Sequence, residues 1–424
     1  MDSAVPLPPP APPSPDLLRH PPRRAAAEIV RTLRAAGFQA LLAGGCVRDE
    51  VMGIVPADYD VATSAAPDQV RALFPRTKAV GEHFGVVIVW LDHVNTEVAT
   101  FRTDSSYSDR RRPDRVEFSD APSDALRRDF TINGLFRDPL TNDVIDYVGG
   151  LADIRARVIR AIGDPEARLA EDHLRALRAV RFAARFDFTL EPTTRAAVAL
   201  HASELRGVSR ERLGGELRRM FAHPSRAQAC RLIESLGLDA PMLDEPPRGA
   251  AQPLNVVANL PADSSPPFAA SLAAWALDRH EDRRRIPSRW RKALILSNEE
   301  SDLLRAILDQ VDQLRTRWSA LRIAHRKRLA AAPAFPHART VLSALDAPAL
   351  ARIDADLADH ARIGGGLAPA PFFTGDDLNA LGLPPGPLYK TILDELYDAQ
   401  LEGALSDRAA AESLARQRIA QALA

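Results

Sequence analysis

Two aspartates separated by one residue, Asp58 and Asp60, set the first chemical constraint in this chain. Side chains at i and i+2 of an extended segment project from one face. Tyr59-Asp60-Val61-Ala62-Thr63, read as a strand, therefore aims both carboxylates the same way. Two such groups repel unless a cation lies between them, and Mg²⁺ takes one or two carboxylates together with substrate phosphates. Ahead of this pair, Gly44-Gly45 sits between a strand-like run and a helix start. Glycines there let the backbone approach a ligand closely, and the free N–H groups of a helix end favour phosphate. The pattern is neither a GxGxxG fingerprint nor a Walker loop, and an ordinary strand–helix turn uses the same glycines. Glu97 opens another β-rich run, Glu97-Val98-Ala99-Thr100-Phe101, and is a candidate third carboxylate for that face, the alternative being a solvated strand end. Three acidic groups around two Mg²⁺ suit in-line nucleotidyl transfer, one metal activating the attacking hydroxyl and the other neutralising the leaving pyrophosphate.

A second constellation is Glu171-Asp172-x-x-Arg175-x-x-Arg178-x-x-Arg181. Residues three apart share one side of a helix, so Asp172 and Arg175 are expected as neighbours. One reading is an ion-paired amphipathic helix. The other is a protein template for bases, in which the carboxylate accepts from the amino group of cytosine or adenine and the arginine donates to ring acceptors. Uracil and guanine present a carbonyl at that edge. In Arg127-Arg128-Asp129-Phe130-Thr131-Ile132-Asn133, the fixed guanidinium fork of an arginine suits phosphate or sugar oxygens, and a structural Arg–Asp pair fits the same residues.

The elements that must hold these groups follow from the apolar spacing. Residues 1–23 are proline-rich and are expected to form a disordered tail. Helical spacing runs from Ala25 to Ala36, and Phe38–Ala43 reads as a buried strand closed by Gly44-Gly45. A helix is expected over Pro67–Phe74, and Val86–Leu91 with Thr96–Phe101 suggests a hairpin. Residues 24–150 thus form an α/β head on one mixed sheet. Beyond Gly163 the β signal fades, and Leu169–Phe186, Pro192–Leu205 and Arg210–Ala222 all have helical spacing. Residues 151–240 are assigned to a helical neck carrying the base-recognition helix. Residues 241–267 form a Pro-rich linker, and 268–424 a helical body and tail. The fold class is α/β plus all-α: a mixed-sheet head followed by an elongated helical neck, body and tail.

Composition bounds the function. The chain has 424 residues, 46% hydrophobic and 26% charged, which excludes a wholly disordered or fibrous protein. With 55 Lys+Arg against 56 Asp+Glu, any polyanion must be met by local patches. Basic clusters at Arg283–Arg285, Arg289–Lys292, Arg315–Arg317 and Arg322–Arg328 interleave with Trp290 and Trp318; they suit an RNA backbone or, equally, solvated helix faces. Cys46 and Cys230 make no disulfide framework or zinc site, which fits a reducing cytosol. No apolar run reaches the ~18–20 residues of a membrane span, and the N-terminus lacks a signal-peptide pattern. The expectation is a cytoplasmic protein with no membrane association and no inferred protein partner.

The runs LLAGGCVRDEVMGIVPADYDVAT, EVATFRTDSSYSDRRRPDRVEF, RRDFTINGLF, DYVGGLADI and AEDHLRALRAVRFAARF occur in that order over roughly residues 38–220. Together they resemble the class II tRNA nucleotidyltransferase and bacterial poly(A) polymerase family. The resemblance implies that Gly44, Gly45 and Arg48 form a triphosphate-contacting turn and that Asp58 and Asp60 bind Mg²⁺, with Glu97 as third carboxylate. It places Arg128 and Asp129 at ribose and phosphates, Asp172 and Arg175 at the base, and Arg178 and Arg181 behind phosphates or base. Phe182 and Phe186 are expected in the core. Ser209-Arg210-Glu211-Arg212-Leu213 resembles the family's neck motif, expected to cap and pack rather than touch substrate. Thr374–Gly403 resembles a tail packed as helices.

Arg102–Pro113 resembles the flexible loop of CCA- and A-adding members, which CC-only members have shortened. The short interval from Glu97 to Arg128 departs from poly(A) polymerases, which carry a longer insert there. The ranking that follows is CCA addition to the tRNA 3′ end from CTP and ATP, then A-only addition, then poly(A) synthesis. A catalytically inert RNA-binding relative is the reading from a different class. No His-Asp dipeptide occurs, so an appended phosphohydrolase domain is not expected.

Overall fold

Antiparallel, hydrogen-bonded strands flank a single parallel pair in the sheet that carries the Asp-x-Asp motif. In the computed structural model this sheet has seven strands in the order β3-β4-β5-β2-β1-β8-β9. These are β1 (Ala40–Ala43), β2 (Asp60–Thr63), β3 (Thr77–Ala79), β4 (Val86–Leu91), β5 (Val94–Thr100), β8 (Leu135–Arg137) and β9 (Val144–Asp146). Two further strands, β6 (Arg102–Ser105) and β7 (Arg115–Phe118), pair antiparallel as a separate ribbon. The structure describes residues 12–80, 85–105, 115–247, 253–262, 266–384 and 386–423. The expected flexible loop Arg102–Pro113 therefore falls partly in β6, and its residues 106–113 lie outside the described residues.

The β4–β5 hairpin closes through Asp92 and His93, both at positive φ (48° and 64°), with Leu91 opposite Val94. Left-handed residues at both positions match the strand twist in a two-residue turn. The sole parallel pairing of this sheet, β2 with β5, sets Asp60 opposite Glu97. Beneath it, Leu41, Ala43, Ala62, Phe101, Ala121, Ala125 and Phe136 form one buried cluster.

The N-terminal expectation needs correction. Residues 1–11 lie outside the described residues, but Pro15–Arg19 (α1) and Pro21–Ala35 (α2) are helices. Proline at the first helical positions has no intrahelical hydrogen bond to lose and a φ already suited to the helix. The Ser14 hydroxyl caps α1 by accepting from the Leu17 amide. Leu17 and Arg23 are buried, which anchors a segment that composition alone reads as a tail.

The chain forms two compact units, residues 1–220 with 231–249 and residues 221–230 with 250–424. The neck helices thus belong to the same unit as the head. Two of the runs with helical spacing are interrupted there. Leu169–Phe186 is split into Pro165–Glu171 and Leu174–Phe186, and Pro192–Leu205 ends as an α-helix at Leu200 before a 3-10 turn. In the second unit, the Pro-rich stretch contains a helix, Asn255–Asn259. Its first amides, of Val256 and Val257, donate to the two Asp278 carboxylate oxygens at 2.9 Å each. Trp275 and Trp290 are fully buried and 5.7 Å apart, and buried Trp318 donates its indole N–H to Asp356. The tryptophans among the basic clusters are therefore core residues rather than a stacking surface. Arg322, Arg326 and Arg328 are paired to Asp398, Asp356 and Asp394 or Asp398. Thr374–Gly403 folds as helices Gly375–Ala380 and Pro387–Leu401 over a core including Leu378, Ile392 and Leu396.

The run Asp146-Tyr147-Val148-Gly149-Gly150 owes its residue types to one cap. Asp146 accepts from four successive amides, those of Val148, Gly149, Gly150 and Leu151, at 2.8–3.0 Å. A Cβ on Gly150 would lie 2.2 Å from the Thr131 carbonyl oxygen, so that position admits only glycine. Replacing a side-chain cap ordinarily costs ~1–2 kcal/mol. We expect Asp146→Ala to lie at the upper end, ~2 kcal/mol, as a lowered midpoint in urea unfolding with an unchanged slope.

Candidate active site

The Gly44-Gly45 turn sits where it does because β1 ends and α3 (Gly45–Val51) begins within one residue. Gly44 has φ +75°, and a Cβ there would meet Arg128 Nη1 at 2.6 Å. Both the backbone conformation and the arginine require glycine. From this turn an open cleft of about 580 Å³ extends between the sheet and the helices that follow it. Gly44, Gly45, Arg48, Asp58, Asp60, Arg128, Asp129, Asp172, Arg175, Arg178 and Arg181 all line it. Glu97 does not line the cleft; it lies beside Asp60 on the neighbouring strand, its side chain exposed.

Burial and neighbouring carboxylates together change the chemistry of Asp60. Asp60 is pushed up to about 7 by the protein packed around its carboxyl and by the negative charges of Asp58 and Glu97, while Arg128 works the other way. The residue still touches solvent at the floor of the open cleft, so it remains accessible to a ligand. Among the described residues no three His, Cys, Asp or Glu side chains converge into a metal cage. An all-oxygen pair that a cation would relieve, open towards a phosphate-type turn, fits a hard divalent ion that completes its shell with substrate oxygens and water. Cys46 is no nucleophile, because burial and then Asp60 push its thiol up to about 12.

Opposite the aspartates the wall is cationic, with nine arginines among its lining against four aspartates. That surplus suits a triphosphate, but it is held in check by tethers. Asp124 holds both Arg127 and Arg128, at 2.7 and 2.9 Å. Asp49 holds Arg48 at 2.6 Å with Arg185 at 3.7 Å, and Glu216 holds Arg181 and Arg219 at 2.6 Å each. Glu171 holds Arg168 and Arg175. A carboxylate shared by two guanidinium groups fixes both while leaving the pair one positive charge in excess. Arg48 also rests on the faces of Phe182 and Phe186, at 5.2 and 4.6 Å, and its guanidinium reaches the Asn133 side chain. Phe182 and Phe186 are buried as expected, with Phe182 also facing the cleft.

Two pairings differ from the sequence expectation. Asp129 does not pair with Arg128; it accepts from Arg178 Nε at 2.7 Å, from Asn133 Nδ2 at 2.9 Å and from the Phe130 amide at 2.8 Å. Burial alone would raise its carboxyl, but Arg178 and Asn133 outweigh it and hold it at about 2. Asp172 does not pair with Arg175, because the two are not on one helix. The chain is extended at Asp172 (φ −151°, ψ 103°), whose Oδ1 accepts from the Leu174 amide at 3.1 Å and starts the next helix. Its Oδ2 accepts instead from Arg212 at 2.6 Å. Arg212, expected to cap and pack, is thus a cleft residue that spacing missed; its one signal was its place in the Ser209–Leu213 run. Arg102, Arg127, Asn133 and Arg185 also line the cleft without having been singled out.

Known proteins resemble this chain in sequence and fold. A family model described as the poly(A) polymerase head domain matches residues 40–160, and one described as the probable RNA and SrmB-binding site of polymerase A matches 187–246. A CCA-adding enzyme of Lactiplantibacillus plantarum is 38% identical over 293 residues, covering 67% of this chain and 70% of that protein. The chain belongs to the tRNA nucleotidyltransferase and poly(A) polymerase family. A CCA-adding enzyme of Levilactobacillus brevis is 43% identical over 212 residues, 50% of this chain and 53% of that one. The chain thus spans about half the length of several curated relatives it matches. The crystal structure of the Bacillus stearothermophilus CCA-adding enzyme in complex with CTP superposes with a TM-score of 0.75 at 29% identity, covering 95% of this chain and all of that one. The family generally uses a divalent metal. Among the described residues no helix is long and apolar enough to cross a membrane.

The elevated Asp60 carboxyl gives a pH signature. Its value is about 7 folded against an ordinary 3.8, so the unfolded chain releases this proton first. Without metal, its contribution to stability must fall as pH rises from about 4 to 7. We expect Asp60→Asn to flatten that part of the melting-temperature profile. Mn²⁺ affinity should rise between pH 6 and 8 in the parent and much less in the variant, both read by titration of the metal.

Proposed function

We propose that the chain is a template-independent CCA-adding tRNA nucleotidyltransferase, adding C, C and A to the tRNA 3′ end from CTP and ATP. The observation that carries this reading is the convergence of Asp58 and Asp60, the Gly44-Gly45 turn and the Asp172–Arg175 segment on one cleft. In each step the terminal 3′ oxygen forms a bond to the α-phosphorus, the bond to pyrophosphate breaks, and the hydroxyl proton leaves. Mg²⁺, held by Asp58 and Asp60 with Glu97 adjoining, supplies hydroxyl activation and charge neutralisation when bound. The N–H groups at the start of α3 and the tethered guanidinium groups of Arg128, Arg178 and Arg181 receive the phosphates. They are oriented before the ligand arrives, and preorganised donors stabilise developing charge without reorganisation.

Asp172 and Arg175 select the base. Each is anchored outside the pair, Asp172 by Arg212 and the Leu174 amide and Arg175 by Glu171 and the Arg168 carbonyl, which supports two independently set recognition groups, acceptor and donor, in place of a self-satisfied ion pair. This reading places the protein in the cytoplasm with its tRNA substrate.

The assay is incubation with tRNA lacking its last three, two or one nucleotides, with CTP and ATP offered separately. CCA addition requires C on the first two substrates and A on the third. A response to the third substrate alone would identify an A-only enzyme, long adenylate tails a poly(A) polymerase, and no Mg²⁺-dependent labelling an inert relative. Asp172→Ala should relax selection by ~1–3 kcal/mol, roughly ten- to a hundredfold, admitting UTP or GTP. An unchanged preference for C and A in that variant would return Asp172 to the scaffold.

A further inference from the structure

Glu50 is a fully buried carboxylate that the chemistry above does not use. It lies on α3, the helix that begins at the Gly45 end of the phosphate-type turn. Its Oε1 accepts from Arg23 Nε at 2.8 Å and from the Tyr59 hydroxyl at 2.9 Å, and its Oε2 faces Arg137 Nε at 3.2 Å. Tyr59, Arg23 and Arg137 are themselves buried. Arg23 is fixed further by donating to Asn142 Oδ1 at 2.7 Å. The Tyr59 hydroxyl is the donor in its bond to Glu50.

Tyr59 stands between Asp58 and Asp60. Because side chains alternate along an extended chain, its ring goes into the interior while both carboxylates face the cleft. The bond from Tyr59 to Glu50 therefore joins the interior side of the metal-type strand to the helix that presents the phosphate-type amides. We propose that Glu50 and Tyr59 are positioning residues that set the distance between the Asp58–Asp60 carboxylates and the Gly44-Gly45 turn. Arg23 bonds one oxygen of the Glu50 carboxylate, and Arg137 lies 3.2 Å from the other. A buried ion cluster is weak as a stabiliser, since desolvation consumes most of its attraction; its use here is geometric. The α2 residue Arg23 makes the N-terminal helical segment part of the site's support.

The inference rests on the nucleotidyl-transfer reading for what the two halves bind, so the test reads binding rather than turnover. Mn²⁺ is titrated by electron spin resonance into the full chain in the presence and absence of CTP, at a temperature well below unfolding. Tyr59→Phe keeps the ring and removes only the hydroxyl. Glu50→Gln keeps the shape and an acceptor oxygen. We expect either variant to weaken Mn²⁺ binding in the presence of CTP by roughly tenfold, given that a misplacement of about 1 Å costs on the order of a hundredfold. Mn²⁺ binding without CTP should change far less, because Asp58 and Asp60 stay on their strand. The double variant should be no worse than the single ones. A merely structural hydrogen bond would lower the melting temperature and leave the CTP-dependent enhancement intact, which would overturn the proposal, as would fully additive effects. Absence of any CTP-dependent Mn²⁺ binding in the parent would overturn the functional reading itself. If Tyr59→Phe fails to fold, Glu50→Gln alone decides, by the same enhancement.

Discussion

Two carboxylates at the start of β2, Asp60 on the strand and Asp58 just before it, with Glu97 across the parallel register, form the interaction around which the first unit is arranged. Burial first, and then repulsion from Asp58 and Glu97, raises the Asp60 carboxyl, with Arg128 opposing them. Arg128 itself is committed elsewhere, to Asp124 and to the Asn133 carbonyl, and its guanidinium presses against Gly44. The glycine, the arginine and the aspartates are thus one mechanical set. Gly44 must lack a side chain for Arg128 to lie where it tempers Asp60, and Arg128 must stay paired to lie there at all.

The cationic wall solves the converse problem. Unpaired guanidinium groups crowded into one cleft would repel and scatter, and full pairing would leave nothing for a polyanion. Sharing each of Asp124, Asp49, Glu216 and Glu171 between two arginines satisfies orientation and keeps surplus charge. Arg48 shows the limit of this arrangement. It is almost fully buried against Phe182 and Phe186 and bonded to Asn133 and Asp49, so it supports the turn from beneath.

What could be read from the sequence was what a short local period encodes. The i, i+2 spacing of Asp58 and Asp60, the glycines ahead of them and the strand opening at Glu97 needed only the geometry of an extended chain. The seven-stranded sheet places all of these on neighbouring strands or at their ends. Failures occurred where a side chain bonded to the backbone instead of to its expected partner. Asp172 takes the Leu174 amide, which breaks the helix and removes the three-residue ridge on which pairing with Arg175 was argued. Ser14 does the same for α1, turning a proline-rich run into a helix start. A pattern of apolar residues carries no record of such competition between local hydrogen bonds and helix propagation.

Long-range partners were hidden for a different reason. Arg212 reaches Asp172 across 40 residues, and Arg178 reaches Asp129 across 49. Arg178 sits in a helix where Arg175, Arg178, Arg181 and Arg185 recur every three or four residues, and Arg212 shares its helix with Arg210, Arg218 and Arg219, so spacing does not distinguish the one that turns inward. What distinguishes them is the carboxylate waiting on the other element. Asp129, held at about 2 by Arg178 and Asn133 against its own burial, remains charged throughout the physiological range and fixes where Arg178 points. Asp60, by contrast, titrates near neutrality beneath the same cleft. One aspartate is therefore committed to an arginine, while the other, as a carboxylate, is destabilised until it takes up a proton or a cation. That division between satisfied and frustrated carboxylates separates scaffold from reactive groups more sharply than residue type or position.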